Sequence, residues 1–448
     1  MANIVVFGKA QSGKSTLLGY LRSELDKDFN IDNFELQVRA ELGRDYEPSY
    51  LYAYIMDQGK DERKKRKGTR NIHVRRIPFI NNNHITVIDT PGAEHEKLPR
   101  QKGVYLGDIG VFCLELSDVI SDDFMFSSRE NSTILSTLLL WSNLGHKNII
   151  VALTKCDKVN YSENDYLIAK ERVISLCGRT KISHVTVIPI SIIVSQKKGF
   201  NITRKAQEFS WYQEDTLFDT LIHKVKDLGK PQKGELLFSI YNQIDKPSSQ
   251  AGKVWMIKIL QGELSINDNI VISPVLTKNR DFLSINATVK TIRGDLHETE
   301  ENESIATAAA GEIVGIDLKN IYCSRGKLEK KDFDTIYTTC GFNRDVDYNT
   351  SDIFCFTVDI KYETVFQLNR EFSLIWFGRR ITFSVHKPPA ITENSLYIIA
   401  KIKSRKLSLP KKADGEYYFT KLIIRDENNK LLDPYYEGTL ISVGMRNI

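Results

Sequence analysis

Gly8, Gly13, Lys14 and Ser15 stand in the spacing G-x-x-x-x-G-K-S, with Thr16 directly after. That spacing suits the cradling of a polyphosphate. Gly8 and Gly13 let the backbone curl so that the N–H groups from Gln11, Ser12 and Gly13 onward point inward at phosphate oxygens. Lys14 can bridge the outer phosphates, and the Ser15 hydroxyl is of the kind that ligates Mg²⁺. The flanks agree with this reading. Ile4–Phe7 is an apolar run that reads as a buried strand, and Thr16–Leu21 reads as a helix. The positive end of that helix adds to the field at the loop. A Gly-rich turn of a redox or sugar enzyme is the competing explanation.

Further along, His84–Asp89 reads as a strand ending in D-x-P-G. A carboxylate such as Asp89, at the carboxyl end of a parallel strand, is placed to anchor Mg²⁺. Gly92 lacks a Cβ, so its N–H can swing to a γ-phosphate. Asn148–Leu153 reads as a buried strand and runs into Thr154-Lys155-Cys156-Asp157. Asp157 can accept hydrogen bonds from N1–H and the exocyclic amine of guanine, a pair that adenine does not offer. Lys155 can lie along the face of the base. Thr154 stands where Asn is more usual, and its hydroxyl can tie this loop to its neighbour. Val185–Ile192 reads as a strand whose end, at Ser191 and Ile192, brings a backbone N–H to the guanine O6. The run Lys60–Arg70 is strongly basic. It reads either as a solvated helix end and loop, or as a mobile switch in which Thr69 senses the γ-phosphate and Mg²⁺. In this order the motifs spell a guanine-nucleotide switch. The expected ligands are GTP, GDP and Mg²⁺, the last held by Ser15, Thr69 and Asp89. Lys14, Thr69 and Gly92 are the expected catalytic groups.

These residues need a scaffold that sets strand ends side by side. Strand, loop and helix alternate to about residue 228, which predicts a doubly wound, mostly parallel α/β sheet over 1–228. Leu228–Gly234 reads as a linker. Helical periodicity then gives way to short β-rich runs, predicting one β-barrel over 234–330 and a second over 345–448. The 448 residues suffice for several cores, and 41 % hydrophobic with 27 % charged residues is an ordinary globular composition. A net charge of +5 permits a polyanionic partner without requiring one. The six cysteines show no C-x-x-C pairing, so they read as free thiols in a reducing compartment. No apolar run is long enough to span a membrane, and the first strand leaves no room for a signal peptide. A cytoplasmic protein is expected, with neither a membrane nor DNA as partner.

A guanine-nucleotide switch followed by two barrels resembles the translation elongation factor Tu and elongation factor one alpha family. The likeness extends beyond the nucleotide motifs. Ser49–Asp57 and Asp61-Glu62-Arg63 resemble the first switch helices of the archaeal and eukaryotic members. Ala251–Val254 with Gly262–Asp268, Ala287–Ile292, Ala309–Ile316, the Arg325-Gly326 turn and Ile441–Met445 resemble the family's barrel strands and chain end. The resemblance implies GTP hydrolysis, a ribosome or tRNA partner, or a tRNA-like protein factor. Arg379-Arg380 and Lys401–Lys412 are basic stretches that suit phosphate backbone, or simply a solvated β-surface.

Three departures bear on function. The family's water-orienting His after D-x-P-G is Ala93 here, and its phosphate-loop Asp is Gln11. The first switch reads Lys67-Gly68-Thr69-Arg70 where the family has G-I-T-I. Loss of a water-orienting group costs on the order of 10²–10⁴ in rate. His95 is positioned in sequence either to substitute or to be an ordinary surface histidine. Three functions follow: a translational GTPase with slow or partner-dependent hydrolysis, a non-hydrolysing GTP sensor with a protein partner, or an accessory GTPase resembling the large subunit of ATP sulfurylase.

Overall fold

The structure, a computed structural model, describes residues 1–57, 63–64, 69, 71–80, 83–93, 97–121, 124 and 130–229 of the amino-terminal half. Beyond that it describes 233–245, 249, 252–276, 282–294, 304–323, 326–327, 337–338, 340–344, 348–376, 379–392, 395–403, 407–410, 414, 421–426 and 435–443. Most of Lys60–Arg70, His95, Arg325, Gly444 and Met445 lie outside the described residues, as does part of Lys401–Lys412. The described residues divide into two compact units, one up to residue 229 and one from residue 233 on.

The first unit is built on six strands: β1 (Ala2–Gly8), β2 (His73–Pro78), β3 (His84–Asp89), β4 (Ile109–Glu115), β5 (Asn148–Thr154) and β6 (His184–Pro189). They lie in the order β2-β3-β1-β4-β5-β6. All neighbours are parallel except β2, which pairs antiparallel with β3. Every residue of β1 is buried, as a strand covered on both faces requires. Register places Val6 opposite Asp89 and Gly8 opposite Cys113. The ends of β1, β3 and β4 therefore meet at one edge, where crossovers departing to opposite sides leave a crevice.

Helix α1 (Lys14–Leu25) starts directly from Gly13. Gly13 has φ +88°, a left-handed turn that favours glycine, and no side chain caps the helix. Its first N–H groups thus have no side-chain cap. Helix α2 (Ile31–Leu42) forms in a stretch of mixed polar and apolar residues. Only Val38 and Leu42 of it are buried, so its apolar stripe is too thin to announce a helix. The Asn30 side chain caps it, accepting from the N–H groups of Asp32 and Asn33. Ser49–Asp57, which resembles a first switch helix, contributes to a 3₁₀ turn, Pro48–Tyr50, and to α3 (Leu51–Met56). β2 is likewise an addition, since Arg75 and Arg76 break its apolar pattern. Arg75 is nonetheless buried, its Nη2 donating to the Ile55 carbonyl at 2.7 Å.

The second unit holds two closed antiparallel barrels. The first runs through Leu237–Asp245, Lys253–Gln261, Ile313–Cys323, Phe282–Arg293, Asn269–Leu276 and Cys340–Phe342, which returns to Leu237–Asp245. Its closing strand lies beyond the expected limit of 330. Phe238, Trp255, Ile257 and Ile316 are among the residues that fill it. The second runs through Ile353–Asp359, Tyr435–Val443, Lys421–Asp426, Glu371–Trp376, Arg379–Val385 and Ser395–Ile402, which pairs back with Ile353–Asp359. Aromatic rings form its core: Phe366 stacks on Phe372 at 4.5 Å and Phe354 meets Phe383 edge-on at 5.1 Å. Cys113, Cys156, Cys177, Cys323 and Cys355 are buried free thiols. Among the described residues no helix is long and apolar enough to cross a membrane.

Candidate functional site

The loop from Gly8 to Thr16 joins β1 to α1 at the crevice. Lys14 is buried in it, and its Nζ donates to the Lys9 carbonyl at 2.7 Å. Burial pushes the Lys14 pKa down, while the nearby Asp89 opposes that shift. Gln11 adopts φ +63°, left-handed for a residue with a side chain. The Ser12 hydroxyl is buried without a hydrogen-bond partner among the described residues. Thr154 sits beneath the loop. Its Oγ1 lies 2.9 Å from the Ser12 carbonyl and 3.2 Å from that of Leu114, and can donate to either. A threonine thus makes the tie between loops.

At the end of β3, Asp89 is fully buried. The Ser15 hydroxyl donates to its Oδ2 at 2.5 Å, and Thr69 Oγ1 lies 3.3 Å from both Ser15 Oγ and Asp89 Oδ2. Asp89 Oδ1 has no partner among the described residues. Burial pushes this carboxyl up, and the Lys14 charge holds it down. Two hydroxyls and a carboxylate with one orphaned oxygen, brought to one point, fit a hard divalent cation with oxygen ligands. Gly92 packs on the phosphate loop so closely that a β-carbon there would lie 2.5 Å from the Ala10 nitrogen and 2.6 Å from Lys14 Nζ. Ala93 follows it and brings only a methyl group.

The residues expected on the guanine side come from three loops. Lys155 has φ +57°, and its Nζ donates to Glu115 Oε2 at 2.6 Å. Lys158 Nζ donates to Glu115 Oε1 at 2.6 Å, with the Ser117 hydroxyl 3.1 Å from the same oxygen. Asp157 Oδ1 accepts from the Ser191 hydroxyl. Ile192 follows in a small hairpin formed by Ser191–Ile193 and Lys198–Phe200. Sequence reasoning missed Glu115. Its signal was a lone acidic residue closing an otherwise apolar strand. Burial alone would raise its pKa, but the two lysines hold the carboxyl down at about 2. Glu115→Gln removes the charge that faces Lys155. It is expected to weaken GDP binding about 5–10-fold and to lower unfolding free energy by about 1–2 kcal/mol. The folded pKa lies below the ordinary 4.5. The wild-type advantage in chemical denaturation is therefore full above that pH and is lost as pH falls towards 2. An equal loss at every pH would count against the carboxylate's role.

Helix α2 is fastened to its neighbours at several points. Glu35 on α2 accepts from Arg39 and Tyr46, and Lys197 pairs with Glu35 at 2.7 Å. The Lys197 contact leads in holding the Glu35 carboxyl down at about 2. Val38, Leu42 and Tyr54 form a small core between α2 and α3. Arg63 pairs with Glu41.

The chain matches the family model described as the elongation factor Tu GTP binding domain over residues 1–237. It is 26 % identical to elongation factor 1-alpha of Archaeoglobus fulgidus over 326 residues, covering 71 % of this chain and 68 % of that protein. It is also 26 % identical to elongation factor 1-alpha of Pyrococcus furiosus over 332 residues, or 74 % of this chain and 69 % of that one. Among solved structures, the GTP-bound GTPase-like domain of S. cerevisiae Ski7 superposes with a TM-score of 0.73 at 16 % identity, covering 98 % of this chain and 97 % of that one. A bacterial selenocysteine-specific elongation factor gives a TM-score of 0.62 at 15 % identity over 99 % of this chain. This chain spans 59 % of that longer protein. At these identities the two structures testify to the fold.

Proposed function

The chain belongs to the elongation factor Tu GTP-binding-domain family as a divergent translational GTPase, and from that premise we propose a GTP/GDP switch with slow or partner-dependent hydrolysis, acting on the ribosome, tRNA or a tRNA-like factor. Gly8, Gln11, Ser12, Gly13, Lys14, Ser15 and Thr16 hold the phosphates. Thr154, Lys155, Asp157, Ser191 and Ile192 form the guanine side. Ser15, Thr69 and Asp89 hold Mg²⁺, which when bound neutralises phosphate charge. The division into a nucleotide domain and two barrel domains belongs to the same reading. Arg379, Arg380 and the lysines from 401 on are our candidates for contact with phosphate backbone.

The observation that carries slow hydrolysis is Ala93. It follows Gly92, which packs against Lys14, and its methyl can neither donate nor accept a hydrogen bond. An attacking water there has no side chain from position 93 to orient it, worth on the order of 10²–10⁴ in rate. The same observation favours a second reading, a GTP sensor that does not hydrolyse and is read by a protein partner. Single-turnover hydrolysis by the pure chain, with and without ribosomes, separates the two. We expect slow turnover alone and strong stimulation by ribosomes. Bound GTP persisting for hours in both samples would favour the sensor instead.

A further inference from the structure

Although position 93 is only a methyl, the turn around it is firmly held. Arg100 reaches back to that turn from the helix Lys97–Leu106. Its Nε donates to the Pro91 carbonyl at 3.2 Å, and its Nη2 donates to the Ala93 carbonyl at 2.6 Å. The side chain is only 5 % exposed. Between those two carbonyls lies Gly92, packed so closely on the phosphate loop that a β-carbon there would collide with the Ala10 amide nitrogen and Lys14 Nζ. One face of the turn is thus held by a planar guanidinium and the other lies on the phosphate loop. A guanidinium fork suits this better than an ammonium, because its donors diverge in one plane at fixed angles. Charge-assisted bonds from a buried donor are also the strong kind.

We propose that Arg100 is a positioning residue for triphosphate recognition. By spanning the Pro91 and Ala93 carbonyls it fixes the Gly92 amide against the phosphate loop, so that backbone geometry distinguishes GTP from GDP. The inference rests on the nucleotide-switch reading and goes beyond it in naming the group that sets the preference. A turn already fixed loses little conformational entropy when a γ-phosphate arrives. GDP ends short of the turn and gains nothing from its order. The local charge agrees: Lys14 and Arg100 are both buried. A pocket with two buried cations around one buried carboxylate favours an added anion.

The test titrates the full chain with GDP and with a non-hydrolysable GTP analogue, for wild type, Arg100→Met and Arg100→Lys. In Arg100→Met the GTP-analogue affinity is expected to fall about 10-fold more than the GDP affinity. Arg100→Lys is expected to follow Arg100→Met, because a single ammonium does not reproduce the two-carbonyl fork. If Arg100→Met fails to fold, Arg100→Lys carries the comparison, with its melting temperature measured alongside. An unchanged GTP-to-GDP ratio in the folded variants overturns the inference, as does full rescue by lysine, which would make charge alone sufficient. Wild type that binds neither nucleotide overturns the nucleotide reading itself, and this inference with it.

Discussion

Lys14→Ala is expected to abolish GDP and GTP binding, with affinity falling at least about 10³-fold. The ammonium is buried beside Asp89 and tied to the loop through the Lys9 carbonyl. In the low-dielectric floor of the crevice its attraction to phosphate is poorly screened. Nothing in a methyl group replaces that charge, and the loop's N–H groups alone must then hold the phosphates. Burial already pushes the Lys14 pKa down, so the empty site keeps the charged form at a cost. Removing it should therefore leave the apo fold intact while erasing the thermal shift on adding GDP. Calorimetric titration with GDP is the direct check. An unchanged affinity would remove the phosphates from Gly8–Thr16.

The second large effect is on base selection. Asp157→Asn is expected to weaken GTP binding on the order of 10²-fold and to collapse the GTP-over-ATP ratio. Asp157 enters the 3₁₀ turn Cys156–Val159 with one oxygen already engaged by the Ser191 hydroxyl. That bond fixes the carboxylate so that the remaining oxygen can accept from guanine. An amide would place an N–H donor against the donor edge of the base, and a mismatched polar pair in a partly desolvated site is strongly disfavoured. Competition of labelled GDP by GTP and ATP in both proteins reads the ratio. An unaltered ratio would place base selection elsewhere.

The two variants probe parts of the site that differ in how openly the sequence declares them. Lys14 belongs to a run of neighbours whose strand, loop and helix are all local. Asp89 ends a strand whose apolar residues announce it, and Asp157 lies in the turn just past another. Glu115 and Arg100 give almost no warning. Glu115 matters because β4 and β5 are adjacent, with Glu115 opposite Thr154 in register. Arg100 matters because its helix turns back over the Pro91–Ala93 turn. The barrels divide in the same way. The change to short β-rich runs past Leu228–Gly234 is legible along the chain, whereas Cys340–Phe342 closes the first barrel from the gap between the two expected barrels.

By itself the sequence determined the phosphate loop, the order of the guanine motifs, the alternation of strand and helix, and the change to β-rich barrels. Each of these is written in spacing and periodicity within a few residues of the chain. Only the tertiary structure decided that Ser15, Thr69 and Asp89 converge, that Thr154 ties two loops, and that Glu115 and Arg100 hold Lys155 and the Gly92 turn. Those contacts join residues far apart in the chain. They exist because parallel strand pairing fixes which strand ends lie side by side, and buried polar groups at those ends must then find one another.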